Sequence, residues 1–359
     1  MSTTSSNAES TLYPKITNHM SEVVERLQEL ERDPMHPDAH TNLMPIPLVG
    51  TVKLHGTHAD ILVHANDDIV FQSRNLTGLS PAKDNAGFAA AMSHKTHAIL
   101  QLRNLYLARW SKLHPTKTLH PHHPVLIAGE WIGSKIQKDV CISQLSRRFV
   151  IISVKVNGAW QNDQEYADIS LDADGIYNVS RAGLYRATLH AQDVARTASQ
   201  VEALAEQVAA RCPFAATFGL AGEGEGIVWK LAAPKYNANP SLWFKTKGGK
   251  FKPQIFKQPR QTLADGALRG KRRAARLAAE TWCSAQRLEQ GWDVLKEKGV
   301  KRDGGAAGEY LDWVTQDVLV EEKTRIKDEG VDKSVLVVEI GKIARAWYDK
   351  QIREEADCL

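Results

Sequence analysis

Apolar positions along the chain follow two patterns, and the pattern changes once. Ile16, Met20, Val23, Val24, Leu27 and Leu30 recur at helical spacing and predict a helix over 14–33. Short apolar runs then predict strands at 48–54, 59–64 and 69–73, broken by Gly56 and by Ala65-Asn66-Asp67-Asp68. A long helix is predicted over 87–113, followed by the connector Leu119-His120-Pro121-His122-His123-Pro124. Further strands are expected at 125–132, 149–156, 226–231 and 242–245, with a helix at 198–211. Beyond Pro259 the strand signal ends. Segments 267–283, 285–298, 309–328 and 333–357 all carry apolar residues at helical spacing. The expected fold class is α+β: a first domain, 1–257, of mainly antiparallel sheets with flanking helices, and an all-helical domain, 258–359.

Composition narrows the classes. With 43% hydrophobic residues over 359 positions the chain can bury one large core or two modest ones. No apolar run approaches the roughly 18–20 residues of a membrane span. Met1 to Ser10 lacks the basic-then-apolar order of a secretory signal. Cys141, Cys212, Cys283 and Cys358 are at least 71 residues apart, which fits neither a disulfide framework nor a zinc site. The expectation is an intracellular protein, cytoplasmic or nuclear, without a membrane partner.

The net charge of +4 is unevenly spread. Residues 245–276 hold eleven Lys and Arg against the single Asp265, between two slightly acidic blocks. Such a belt suits a polyanion, although a solvated loop carries the same signature.

Candidate chemistry begins at Lys53-Leu54-His55-Gly56. Lys-x-x-Gly occurs six times here and means little alone, but only this copy lies between two apolar strand-like runs. A lysine reaching solvent from a strand end would look the same. An ordered set follows it: Ser73-Arg74 after the next hairpin, Gly129-Glu130 in an apolar run, and Phe149 at a strand start. Glu225-Gly226-Ile227-Val228-Trp229-Lys230 then enters a buried strand, and Lys245 and Lys247 lie two apart, on one face of another. Two carboxylates, a lysine pair and a strand-end lysine are what a metal-assisted attack on a nucleoside triphosphate requires.

In order and spacing these motifs resemble the covalent nucleotidyltransferases, which include ATP-dependent ligases and mRNA capping enzymes. His55 before Gly56, and Arg74, point to the RNA ligase 2-like branch. The resemblance spans about residues 45–252 and implies an ATP-dependent RNA ligase with an ATP-grasp-like domain. Lys53 would attack the α-phosphate of ATP, the adenylate would pass to an RNA 5′-phosphate, and a 3′-hydroxyl would close the phosphodiester. By the same resemblance, Val52, His55, Gly56, Arg74, Glu130, Phe149, Glu225, Lys245 and Lys247 would surround the nucleotide. Phe149 would stack on adenine, although it reads equally as a core residue. Glu225 would bind Mg²⁺ or Mn²⁺, Glu130 would meet the ribose or the metal through its bound water, and Lys245 and Lys247 would act on the phosphates.

An unperturbed lysine, with a pKa near 10.4, is only about 0.04% neutral at pH 7, so the nucleophile needs help from its neighbours. Lys245 and Lys247 are expected to lower its proton affinity as well as to bind phosphate. One departure stands out: His58 occupies the position where the family commonly has Asn. The expected partner is RNA with 5′-phosphate and 3′-hydroxyl ends, held in part by Lys250, Lys252, Lys257, Arg260, Arg269, Lys271, Arg272, Arg273 and Arg276. A monomer is expected. Competing readings are a DNA ligase, a capping-type guanylyltransferase, and an RNA-binding protein that has lost turnover. The histidines His114, His120, His122 and His123 read as surface residues, and Trp282, Trp292, Trp313 and Trp347 as the core of the helical domain.

Overall fold

Strands form where runs of Val, Ile, Leu and aromatic residues are bounded by Gly, Asn and Asp. The computed structural model describes residues 12–32, 43–253, 256 and 267–357. Its strands are β1 Ile46–Lys53, β2 Thr57–Val63, β3 Ile69–Ser73, β4 Thr77–Leu79, β5 Val125–Ile132 and β6 Arg148–Val156. They continue with β7 Ala159–Trp160, β8 Ile176–Asn178, β9 Tyr185–Leu189, β10 Gly226–Leu231 and β11 Phe244–Lys247. The fold is α+β. One antiparallel sheet runs β11-β10-β1-β9; a larger one runs β4-β3-β2-β5-β6-β7, with β8 parallel on β6.

Each sheet has its own apolar backing. Leu48 and Val52 of β1 enter a core shared with the helices Met20–Leu30 and Val194–Ala210. Asp193 caps the second of these helices by accepting the Arg196 N–H at 3.0 Å, a contact worth about 1 kcal/mol. The odd-numbered residues Ala59, Ile61 and Val63 of β2 face a second core with the helices Phe88–Ser93 and Thr96–Leu113. A smaller cluster of Tyr13, Ile16, Leu62, Leu126, Ala128 and Trp243 has Val228 and Ile152, one from each sheet, packed against it. It fills part of the space between the sheets' facing sides.

The structure revises several expected elements. Helix begins only at Met20, because residues 13–17 are used elsewhere. Thr17 bridges to Phe244 and its carbonyl accepts the Lys245 N–H at 2.9 Å, while Tyr13 and Ile16 are buried between the sheets. The expected helix over 87–113 is two helices, interrupted at His94 and Lys95. β11 starts at Phe244 because Pro240–Leu242 forms a 3₁₀ turn.

The chain divides into two compact units, Met1–Lys252 and Pro253–Leu359, where the sequence reading sets the boundary at 257/258. The second unit is helical: Ala267–Trp282, Ala285–Glu297, Ala307–Glu321, Lys323–Asp328 and Lys333–Asp357. Its centre is aromatic, with Trp292 set edge-on to Tyr348 at 5.2 Å and Tyr310 stacked on Trp347 at 5.8 Å. Trp282 and Trp292 are buried, and Trp313 and Trp347 pack against the same cluster. Among the described residues no helix is long and apolar enough to cross a membrane.

Candidate active site

Strand register brings the motif residues together. On β1 and β10, Lys53 lies opposite Gly226, Thr51 opposite Val228 and Val49 opposite Lys230. β11 adds Lys247 opposite Gly226 and Lys245 opposite Val228. The period of two puts these side chains on one face of the sheet, in successive rows. Gly226 permits the row nearest Lys53: a Cβ there would lie 2.0 Å from the Thr246 carbonyl oxygen.

At the end of that row Glu225 collects three basic groups. Lys53 Nζ donates to Glu225 Oε2 at 2.6 Å, and Lys247 Nζ lies 2.9 Å from Oε1. His55 Nδ1 is 3.6 Å from Oε2, its ring 4.9 Å from that of Phe251. Glu225 is 1% exposed. Burial alone would raise its pKa, but Lys247, Lys53 and His55 together hold the carboxyl well below the usual range. It is therefore an anion in a cationic setting.

Glu130, half-buried on β5, is fixed differently. Its Oε1 accepts the Gly56 N–H at 2.9 Å, and Gln137 donates to the Gly56 carbonyl at 3.4 Å. Gly56 is needed because a Cβ would meet the Trp131 carbonyl oxygen at 2.4 Å. Lys53, His55 and Lys247 thus meet at Glu225, and Glu130 holds Gly56, the residue that follows His55. Lys245 lies on the same face of β11, one row along, and is buried. Arg74 is exposed, one residue beyond β3, within electrostatic reach of the Tyr13 hydroxyl.

Two expected residues are not brought to this surface. Phe149 is fully buried in the core of the larger sheet, stacked on Phe88 at 5.6 Å. Its ring occupies the space above Gly129, where a Cβ would lie 2.4 Å from two ring carbons. On the same strand it is Ile152 that reaches the space between the sheets. A register shift between Ala128 and Gly129 pairs them with Ser153 and Ile151 and leaves Ile152 as the extra residue of a bulge. Val52 is likewise buried in the core behind the smaller sheet, on the face opposite Lys53.

A further group of polar and apolar residues, outside the expected set, gathers between the sheets. A cavity between the sheets is lined by Thr51, Ile152, Val228, Lys230, Asp163 and Asn178. Lys230, 4% exposed, donates to Ser153 Oγ at 2.7 Å, lies 2.5 Å from Asp163 Oδ2 and sits 3.6 Å above the Trp243 ring. Burial pushes its ammonium down, and Asp163 offsets part of that effect. The Tyr13 hydroxyl is hydrogen-bonded to Ser153 and held protonated by burial. A lysine inside the apolar run Ile227-Val228-Trp229-Lys230-Leu231 was the available sequence signal; nothing local marked Asp163 or Tyr13. His58 Nε2 lies 2.8 Å from Asp60 Oδ1, with Asp60 fully buried, so this departure from the family pattern comes with its own acid partner.

The RNA ligase family model matches residues 46–247, from the first residue of β1 to the last of β11 and over half of the chain. The chain belongs to the RNA ligase family. Its similarity to solved structures is distant. The Naegleria gruberi RNA ligase, solved as a variant with AMP and Mn and also with PPi, is 16% and 15% identical in the two structures, at TM-scores of 0.40 and 0.41. Each alignment covers 67% of this chain and 57% of that one. An archaeal ATP-dependent RNA ligase is 14% identical at a TM-score of 0.34, over 88% of this chain and 65% of that one. This RNA ligase family member therefore spans less than two thirds of the length of those ligases. No curated protein matches it.

Among the described residues of the family member, no group of three or more His, Cys, Asp or Glu forms a metal cage. Magnesium-type ions need none. They keep most of their water and take one or two carboxylates with substrate phosphates. Glu225, an anion whose two oxygens meet Lys53 and Lys247, and Glu130, with one oxygen on the Gly56 N–H, fit that donor set.

Proposed function

We propose that this protein is an ATP-dependent RNA ligase whose nucleophile is Lys53. The reading rests on one observation: Lys53 Nζ and Lys247 Nζ share the two oxygens of a buried Glu225. An amine, a second cation suited to phosphate and a carboxylate suited to a divalent metal share one contact shell, which supports the reading.

In the first step the neutral Lys53 amine attacks the α-phosphorus of ATP. A phosphorus–nitrogen bond forms, the bond to the bridging oxygen breaks, pyrophosphate leaves and Nζ gives up a proton. The adenylyl group then moves to the 5′-phosphate of RNA, breaking the phosphorus–nitrogen bond and making a phosphoanhydride. A 3′-hydroxyl attacks the activated 5′-phosphorus and releases AMP. Lys247 and Lys245 neutralise phosphate oxygens, and Glu130 holds the Gly56 N–H and with it the turn after the nucleophile. Mg²⁺ or Mn²⁺, when bound by Glu225 and Glu130, supplies further neutralisation of phosphate charge. Lys53 must exchange its contact with Glu225 for the phosphate, so Glu225 both parks the amine and marks where charge is balanced.

RNA is the proposed partner, and the basic belt is its backbone-binding surface in part. Lys250 pairs with Glu223 at 2.7 Å and Lys252 with Glu202 at 3.2 Å, so these two are already partly neutralised. Arg269, Arg272 and Arg273 are exposed on the helix Ala267–Trp282, while Lys257 and Arg260 lie outside the described residues.

The decisive experiment is intact-mass measurement after mixing with Mg²⁺ or Mn²⁺ and ATP. The expected result is one added adenylyl group, absent from Lys53→Ala. No adduct, an adduct on another residue, or an adduct only with GTP overturns the reading. Joining assays on RNA and DNA ends then define the substrate.

A further inference from the structure

The polar end of the cleft is built by residues to which no role has yet been given. Three rows cross the smaller sheet from the nucleophile inward: Lys53 with Gly226, Thr51 with Val228, and Val49 with Lys230. At about 3.3 Å per residue the outer and inner rows are roughly 13 Å apart. The middle row joins Thr51, Val228 and Lys245, and Thr51 and Val228 line a cavity together with Ile152 of the larger sheet. The inner row ends in charge. Lys230 occupies Asp163 Oδ2 and Ser153 Oγ, and Ser153 also meets the Tyr13 hydroxyl.

One atom in this assembly is left over. Asp163 Oδ1 is buried and has no hydrogen-bond partner among the described residues. An acceptor left unpaired away from water is costly, and a site built around one discriminates strongly for a ligand that donates to it. Asp163 belongs to the 3₁₀ turn Asp163–Tyr166, outside all of the strands that carry the nucleophile and its neighbours. The Lys230 ammonium meets Oδ2 and Ser153 Oγ and makes no hydrogen bond to Oδ1.

We propose that Asp163 is the specificity-determining residue for the base of the nucleotide, its Oδ1 accepting the 6-amino group of a purine seated between Val228 and Ile152. Lys230 is the positioning residue that holds Asp163 at this depth. The inference rests on the nucleotide-transfer reading of Lys53. It adds a reason why a 6-amino purine is taken and a 6-oxo purine, which presents an acceptor to an acceptor, is refused.

The test compares covalent labelling of the full-length protein by ATP, inosine triphosphate and purine riboside triphosphate, which differ at position 6 and, for inosine, also in the proton on N1. For the wild type, kcat/KM should favour ATP at least tenfold over both. In Asp163→Asn the amide can donate to a 6-oxo group, so the ATP-to-inosine ratio should fall at least tenfold. A merely structural role would depress all three nucleotides together and leave the ratios unchanged, and that result overturns the proposal. So does a wild type that does not distinguish ATP from purine riboside triphosphate. Because Asp163→Asn alone strands the Lys230 charge, the paired variant Lys230→Met with Asp163→Asn removes both charges together and is judged by the same ratios. Absence of any labelling of the wild type would sink the reading of Lys53 itself. Labelling without discrimination sinks only the role of Asp163.

Discussion

Lys53 and Glu225 stand 172 positions apart in sequence and 2.6 Å apart in the fold. The pairing is a product of register, since Lys53 closes β1 directly opposite Gly226 at the start of β10. It has a measurable consequence in acid. The folded-state pKa of Glu225 is depressed, so the cluster's contribution is complete above the ordinary carboxylate range. It drains away as pH falls through that range towards the lower folded value. Glu225→Gln should cost roughly 2 kcal/mol at pH 7, moderated because Lys53 and Lys247 keep 22% and 18% exposure and can resolvate. Urea melts of the two proteins should differ by a constant amount above about pH 5 and converge on further acidification. A difference that is independent of pH down to acid unfolding would contradict this account.

Gly226→Ala tests the packing beneath the same row. The added methyl would sit 2.0 Å from the Thr246 carbonyl oxygen and 2.9 Å from the Lys247 Cα, both backbone atoms that no rotamer change can move. Strand β11 must shift outward, at a cost of about 1–3 kcal/mol, and Lys247 moves with it. Loss of stability together with loss of adduct formation is expected; an unchanged melting midpoint would show that the strands yield freely.

Phe149 and Ile152 separate core from cleft. Phe149→Leu keeps an apolar side chain between Phe88 and Gly129, so it should lower stability while leaving the KM for ATP within about twofold. Ile152→Ala should do the reverse, raising KM for ATP with a smaller loss of stability. Equilibrium denaturation and adenylation kinetics on the two variants decide between them.

That contrast also marks what the sequence could and could not convey. Motif residues fixed by strand alternation were legible: Lys245 and Lys247, two apart, and Lys53 after an apolar run end on one face, and Glu225 stands just before Gly226, which lies opposite Lys53 and Lys247. Phe149 was not, because its side of β6 depends on the bulge at Ile152, and a bulge has no local pattern there. The segment Tyr13–Thr17 continues the helical spacing of Met20–Leu30 yet is extended, since Thr17 gains a bridge to Phe244 and Tyr13 a buried site between the sheets. Tertiary contacts outweighed periodicity. Asp163 was silent for the same reason: its partner Lys230 lies 67 residues further on, and only packing joins them.

Lys247 and Lys245 should part company under mutation. Lys247 touches Glu225 directly, whereas Lys245 lies one row along beside Val228. Lys247→Ala should lower the adenylation rate by about 10²–10³-fold and shift its pH–rate profile, because it removes a cation from beside both Glu225 and the nucleophile. Lys245→Ala should lower the rate with less change in the profile. Identical profiles for the wild type and both variants would remove any role for this pair in setting the protonation of Lys53.

Salt dependence of RNA binding distinguishes cations that are free to meet phosphate from those already spent. Each phosphate contact on a single strand contributes about 0.7 to the slope of log affinity against log salt. Arg272 is exposed and makes no ion pair among the described residues, so Arg272→Ala should reduce the slope by about that amount if the helix Ala267–Trp282 tracks the backbone. Lys252 lies 3.2 Å from Glu202 and 3.6 Å from Glu206, and its ammonium is held up mainly by the hydrogen bond to Glu202. Lys252→Ala should therefore change the slope by much less, and Glu202→Gln should strengthen binding by releasing the lysine. Filter-binding titrations between low and physiological salt give all three slopes. A Lys252→Ala slope change as large as that of Arg272→Ala would mean that RNA displaces Glu202, and that this ion pair is no obstacle to the phosphate track.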